Sequence, residues 1–128
     1  MVAAFPEGTV SSWIAGSGDS QMERTVDDVL LSRCKALIRR VEPAARVILY
    51  GSRARGDARE DSDYDLLVLL EGPVDLAREQ RIREAIYPVE LETGAVITVF
   101  AESRERWESP VFRAMPFVQN VEREGRIL

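Results

Sequence analysis

A chain of 128 residues, 45% hydrophobic and 30% charged, is long enough to bury one proper core and too short for two domains. Its formal net charge of -5 is the opposite of the basic excess expected of a general nucleic-acid binder, so direct nucleic-acid binding is not expected. With no histidine and a single cysteine, Ser-His-Asp and Cys-His catalysis, a His-ligated zinc site and an intramolecular disulfide are all excluded, and any acid–base or metal work falls to carboxylates.

Residues 1–24 are rich in Gly, Ser and Ala, and Gly16-Ser17-Gly18-Asp19-Ser20 has the composition of a flexible linker. A flexible N-terminal arm is expected here, with Trp13 and Ile14 able to pack onto the domain or onto a partner. It shows no basic n-region or apolar h-region, and Glu7 interrupts it early. No apolar run approaches the roughly 20 residues that span a bilayer. The expected setting is the cytoplasm, away from membranes.

Residues 25–128 are expected to form one α/β domain. Thr25 is placed to cap a helix whose first turn holds Asp27 and Asp28. Val26, Val29, Leu30, Cys34, Leu37, Ile38 and Val41 recur at helical spacing, so the helix should run to about Val41, with Arg39 and Arg40 at its C-terminal end and Pro43 beyond. Cys34 reads as a half-buried structural thiol. Arg46 to Tyr50 is a short apolar strand, and a second begins at the aspartates and runs through Leu66-Leu67-Val68-Leu69-Leu70. Asp75 to about Leu91 has the pattern of an amphipathic helix carrying Leu76, Ile82, Ile86 and Tyr87, with Pro88 able to kink or end it. Gly94 should open a third strand, Ala95 to Phe100, rich in β-branched residues. A short helix over Glu102–Trp107 and a last one from Phe117 to Glu124 follow, with Pro116 in its first turn, Gly125 as C-cap and Arg126-Ile127-Leu128 as a tail. The order predicts a mixed sheet of three or more strands flanked by helices.

The chemistry concentrates in one stretch. The strand ending at Tyr50 runs into Gly51-Ser52-Arg53-Ala54-Arg55-Gly56-Asp57, and Asp61-Ser62-Asp63-Tyr64-Asp65 leads into the next strand. Alternate strand residues share a face, so Asp63 and Asp65 should converge with Cα atoms about 6.5–7 Å apart, a fit for one hard cation such as Mg²⁺. Gly51 lets the backbone approach a ligand closely, and a helical turn beginning at Ser52 would turn its hydroxyl and free N–H groups toward a triphosphate. Arg53 and Arg55 add positive charge able to pair with phosphate. Rival motifs fail. Asp57 stands where a P-loop needs lysine, Leu66 replaces the glycine of an EF-hand loop, and Arg55-Gly56-Asp57 is an adhesion tripeptide with no meaning inside a cell.

The run Leu49-Tyr50-Gly51-Ser52-Arg53-Ala54-Arg55-Gly56, then Ser62-Asp63-Tyr64-Asp65-Leu66-Leu67-Val68, resembles the minimal, single-domain nucleotidyltransferases of the DNA polymerase beta superfamily. The resemblance implies a small nucleotidyltransferase fold that binds a nucleoside triphosphate, ATP being the expected one, and transfers a nucleoside monophosphate to a hydroxyl. It implies Asp63 and Asp65 as catalytic residues and Mg²⁺ ligands, and Gly51 and Ser52 as triphosphate-binding residues, which the positive charge of Arg53 and Arg55 would join in nucleotide binding. It also implies a helical, HEPN-type partner protein in a toxin–antitoxin pair, which some members modify with AMP. A homodimer stays open.

The family pattern has a third carboxylate on a later strand, and here Ile97-Thr98-Val99 puts Thr98 in its place. A threonine hydroxyl is no base near neutral pH. Glu90, Glu92 and Glu102 are the candidates to substitute, Glu102 lying about 13 Å further along the same strand face. Two expectations therefore stand together: a Mg²⁺-dependent nucleotidyltransferase, or a catalytically weak or inactive antitoxin or scaffold that docks its helical partner.

Overall fold

The computed structural model describes residues 26–128. The expected arm, Trp13, Ile14 and the Thr25 cap lie outside the described residues.

The elements follow in the order α1 (Val26–Val41), β1 (Arg46–Tyr50), α2 (Ser52–Arg55), β2 (Tyr64–Leu70), α3 (Leu76–Thr93), β3 (Ile97–Ser103), α4 (Arg104–Glu108), α5 (Pro110–Arg113), α6 (Pro116–Glu124) and β4 (Arg126–Ile127). The strands form one mixed sheet in the order β3-β2-β1-β4. β1 is antiparallel to β2 and to β4, while β2 and β3 are parallel, as a crossover through a helix such as α3 requires. β2 is therefore central, and its residues from Leu66 to Leu70 are buried on both faces, which explains their unbroken apolar run.

One face of the sheet is covered by α1 and α3. Leu30, Leu31, Cys34 and Ile38 from α1 and Ile82, Ile86 and Val89 from α3 meet Val47, Leu49, Leu66, Val68, Ile97 and Val99 there. The other face carries Ile48, Leu67 and Leu69 beneath Trp107, Val118 and Val121, with Tyr50, Phe100 and Phe112 packed at the margin. Of the apolar C-terminal residues, Trp107, Phe112, Val118 and Val121 supply core for the second face, while Val111, Met115 and Phe117 are exposed.

Several elements differ from their expected form. Val29 and Val41 share the helical spacing of α1 but are 62% and 44% exposed, because the sheet contacts the arc centred on Leu30, Cys34 and Ile38. In α3, Leu76 and Tyr87 are exposed too, and the helix continues through Pro88. The proline costs about 3 kcal/mol. Ile86 and Val89, on either side of it and both buried, contribute roughly 1.5–3 kcal/mol each and hold the helix across it. Gly94 does not open β3 but caps α3 in the left-handed region at φ 73. β3 instead runs on to Ser103, whose side chain accepts from Arg106 N and starts α4.

The C-terminal tail is a strand. Ile127 pairs with Ile48 and Arg126 with Leu49, and Leu128 N donates to Val47 O at 2.9 Å. Gly125 closes α6 in an ordinary extended conformation, φ -69. The position needs glycine for space, since a Cβ there would meet Ile48 Cγ2 at 2.9 Å.

Candidate functional site

β1 stops at Tyr50 and the chain turns at once into α2. Gly51 makes the turn at φ 80, ψ -161, a conformation essentially confined to glycine. A Cβ on Gly51 would collide with Asp65 Oδ2, so the backbone of the turn lies directly against that carboxylate. Gly51 O accepts from Ala54 N and Arg55 N, both at 3.0 Å, which fixes the turn. Its first N–H groups have no acceptor within the helix by construction.

Asp63 is exposed just before β2, and Asp65 is half-buried two residues on. Strand alternation puts both on the face of Leu67 and Leu69. Across the sheet, Asp65 pairs with Tyr50 on β1 and with Thr98 on β3. The three side chains form a row at one end of the sheet. Thr98 Oγ1 donates to Asp65 Oδ1 at 2.6 Å. Burial, and then the charge of Asp65, raises the Tyr50 phenol above its ordinary pKa.

Arg53 and Arg55 have different surroundings. Arg53 is turned into the protein: its Nε and Nη2 donate to Ser62 O at 3.1 and 2.8 Å, and its Nη1 donates to Asp27 Oδ2 at 3.2 Å. Arg55 is exposed, with its Nε at 3.3 Å from Asp57 Oδ2 and its Nη1 at 3.4 Å from Glu124 Oε1.

None of the three substitute acids is brought to Asp65. Glu90 Oε2 accepts from Ile97 N at 3.1 Å. Glu92 pairs with Arg33 at 3.0 Å. Glu102 faces Leu69 in register, four residues beyond Thr98, and accepts from Ser103 N at 3.0 Å. Among the described residues, no group of three or more His, Cys, Asp or Glu side chains could hold a metal ion. The acids that could hold a cation at this end of the sheet are Asp63 and Asp65. That set fits Mg²⁺, which is usually held by one or two carboxylates together with phosphate oxygens.

Three residues around the site carry no motif signal. Tyr64, between the two aspartates, falls on the opposite face and is buried there, as alternation implies. Its hydroxyl donates to Asp27 Oδ1 at 2.5 Å, so burial and that bond push its phenol up to about 12. Asp27 and Glu124 reach the site from α1 and α6, and their sequence neighbourhoods give no hint of it. No helix among the described residues is long and apolar enough to cross a membrane.

Residues 31–119 match the family described as the nucleotidyltransferase domain. A chain of Methanocaldococcus jannaschii named as a candidate protein adenylyltransferase is 36% identical over 83 residues, 65% of this chain and 76% of its own length. A Haemophilus influenzae chain named in the same way is 26% identical over 93 residues, 73% of this chain and 82% of its own. Among solved structures, a minimal nucleotidyltransferase superposes with a TM-score of 0.55 at 29% identity, over 83% of this chain and 99% of its own. A toxin–antitoxin crystal structure with AMP-PNP superposes with a TM-score of 0.53 at 18% identity, over 75% of this chain and 69% of its own, a likeness of fold. With its mixed four-stranded sheet and its match over more than half its length, the chain belongs to the nucleotidyltransferase domain family and is of the minimal type.

Proposed function

We propose that the protein binds a Mg²⁺–nucleoside triphosphate, ATP in the first instance, and transfers the nucleoside monophosphate to a hydroxyl, with a partner protein as the acceptor. The observation that carries this reading is the contact between the Gly51 backbone and the Asp65 carboxylate. It sets a phosphate-accepting turn directly against a cation-binding acid. The two relatives named as candidate protein adenylyltransferases point to AMP as the transferred group.

In this reading, Asp63 and Asp65 hold the ion. Gly51 and Ser52 bind phosphate oxygens through backbone N–H groups and the Ser52 hydroxyl. Arg55 supplies positive charge from the exposed end of α2, and Arg53 adds charge behind the turn with its hydrogen bonds committed to the protein. When bound, Mg²⁺ would offset charge on the attacking and leaving oxygens. The acceptor oxygen bonds to the α-phosphorus and gives up its proton to solvent, the bond from that phosphorus to the bridging oxygen breaks, and pyrophosphate leaves with that oxygen. The protein's own share is orientation and fixed charge.

Labelled ATP with Mg²⁺ and candidate acceptor proteins tests the proposal. Transfer that Asp63→Ala and Asp65→Asn abolish is expected; transfer indifferent to both would reject the site.

A second reading rests on Thr98, which stands where the family's third acid would be. Without that carboxylate, the chain is a nucleotide-binding antitoxin or scaffold for a helical partner, with little or no turnover of its own. The toxin–antitoxin neighbour is in keeping with a partnered role. Calorimetric titration with Mg-ATP beside the transfer assay separates the two, because binding without transfer fits only the second.

A further inference from the structure

Every nitrogen of the Arg53 guanidinium bonds within the protein. Its side chain is 10% exposed. Nε and Nη2 both reach Ser62 O, at 3.1 and 2.8 Å. Nη2 also reaches Glu60 O at 3.1 Å and Arg59 O at 3.3 Å. The guanidinium lies 4.0 Å from the centroid of the Tyr64 ring, and Asp27 joins the two by bonding both Arg53 Nη1 and the Tyr64 hydroxyl.

Asp63 therefore sits between two residues that Arg53 grips, Ser62 through its carbonyl and Tyr64 through its ring. Arg53 itself belongs to α2, the turn that starts at Ser52. We infer that Arg53 is a positioning residue for Asp63, fastening the loop that carries this carboxylate to the Gly51–Ser52 turn so that the two halves of the site move as one. The inference rests on the proposed Mg²⁺–nucleotide reading and deepens it. Three loop carbonyls and a ring face are matched by a planar fork of five donors, which a lysine ammonium cannot reproduce.

The test uses the full chain with Mn²⁺ as the probe ion, read by electron paramagnetic resonance in the presence of a non-hydrolysable ATP analogue. Hydrogen exchange of segment 58–64 is followed in the protein without ligand. Arg53→Met should weaken Mn²⁺ binding by roughly 10- to 100-fold, the usual effect of removing a group that orients a metal ligand, and should speed exchange in the segment. Arg53→Lys should restore only part of either.

Arg78→Met is the control. Arg78 is a comparable hub, bonded to Glu42, Glu71 O and Pro73 O, and its loss should lower the melting temperature without changing Mn²⁺ affinity. Mn²⁺ binding by folded Arg53→Met as tight as wild type overturns the inference. If Arg53→Met does not fold, Tyr64→Phe, which removes only the hydroxyl bonded to Asp27, should speed exchange in 58–64, and unchanged exchange overturns the inference. Wild-type protein that binds no Mn²⁺ with the analogue, yet protects 58–64 through Arg53, rejects the nucleotide reading and leaves the clamp as structure only.

Discussion

Thr98 and Asp65 are register partners on the parallel pair β2–β3, and the Thr98 hydroxyl donates to Asp65 Oδ1 at 2.6 Å. The bond holds the carboxylate in one rotamer and occupies one lone-pair site on it, while adding neither charge nor basicity. A carboxylate at position 98 would bring both. Thr98→Asp should therefore lower the melting temperature without Mg²⁺, since like charges directly opposed on a sheet cost about 0.2–1 kcal/mol. Mg²⁺ should recover that loss and stabilise the variant more than it stabilises wild type. A general base also contributes about 100-fold or more to rate, so AMP transfer should rise by about that factor. Thermal melting across a Mg²⁺ series, beside the transfer assay, reads both effects; equal Mg²⁺ stabilisation in the two proteins would show that position 98 does not share the ion's site.

Gly51 and Gly56 flank α2, both at positive φ, 80 and 89, yet they should respond differently to alanine. Gly56→Ala meets nothing within 4 Å and has only the left-handed backbone to bear, a cost of about 1–2 kcal/mol. Gly51→Ala must bear its backbone conformation, of order 1–3 kcal/mol, and also displace the Asp65 carboxylate. Chemical denaturation should rank Gly51→Ala as the more destabilised. Calorimetry should show Mg-ATP binding lost in Gly51→Ala and kept in Gly56→Ala. Retained binding in both would mean that the Gly51–Asp65 contact is not part of the nucleotide site.

The layout of the domain was legible because each long element carries a strong period: the stripe of α1, the two-sided run of β2, the β-branched run of β3. What escaped was short or non-local. β4 has two residues, too few to show alternation, and exists because Ile127 pairs with Ile48 far back in the chain. Pro88 reads as a break, and only the core contacts of Ile86 and Val89 overrule it. The approach of Gly51 to Asp65 lies within a motif whose short spacing, from Gly51 to Asp65, made it visible in the sequence. The environment of Arg53 was not, since most of its partners are backbone carbonyls and Asp27 comes from α1. Phosphate pairing was the natural sequence reading of that guanidinium, and its fit to the 59–62 loop emerged only from the folded chain.

Cys34 is fully buried on the α1 face of the sheet, and burial pushes its thiol up to about 11. In the unfolded chain a thiol titrates near 8.5. Its folded value is raised, so its contribution to stability is complete below about pH 8.5 and is lost as pH rises toward the folded value. Cys34→Ala should remove that alkaline decline, although the lost sulfur lowers stability at pH 7. In the native wild type, the thiol should react with a disulfide reagent only as fast as the protein opens, since the thiolate is the nucleophile. Rapid labelling under native conditions would contradict the burial.

Glu42 and Arg78 join the end of α1 to the start of α3. Arg78 Nε lies 2.7 Å from Glu42 Oε2 and Nη2 lies 2.8 Å from Oε1, and Nη1 bonds the carbonyls of Glu71 and Pro73, both at 2.8 Å. The Arg78 hydrogen bonds hold the Glu42 carboxyl below its ordinary pKa. A depressed folded value means that the pair's stabilisation is present above the unfolded carboxyl pKa of about 4.3 and is lost as pH falls through the folded value. Arg78→Met should cost about 1.5–3 kcal/mol at pH 7, the range for hydrogen bonds to charged groups. At pH values low enough to protonate Glu42, the difference from wild type should narrow, leaving the part due to the two loop carbonyls. Urea denaturation of both proteins from pH 7 down to about pH 3, below the carboxylate range, gives the comparison; a gap that stays constant with pH would place the stabilisation in the carbonyl contacts and not in the ion pair.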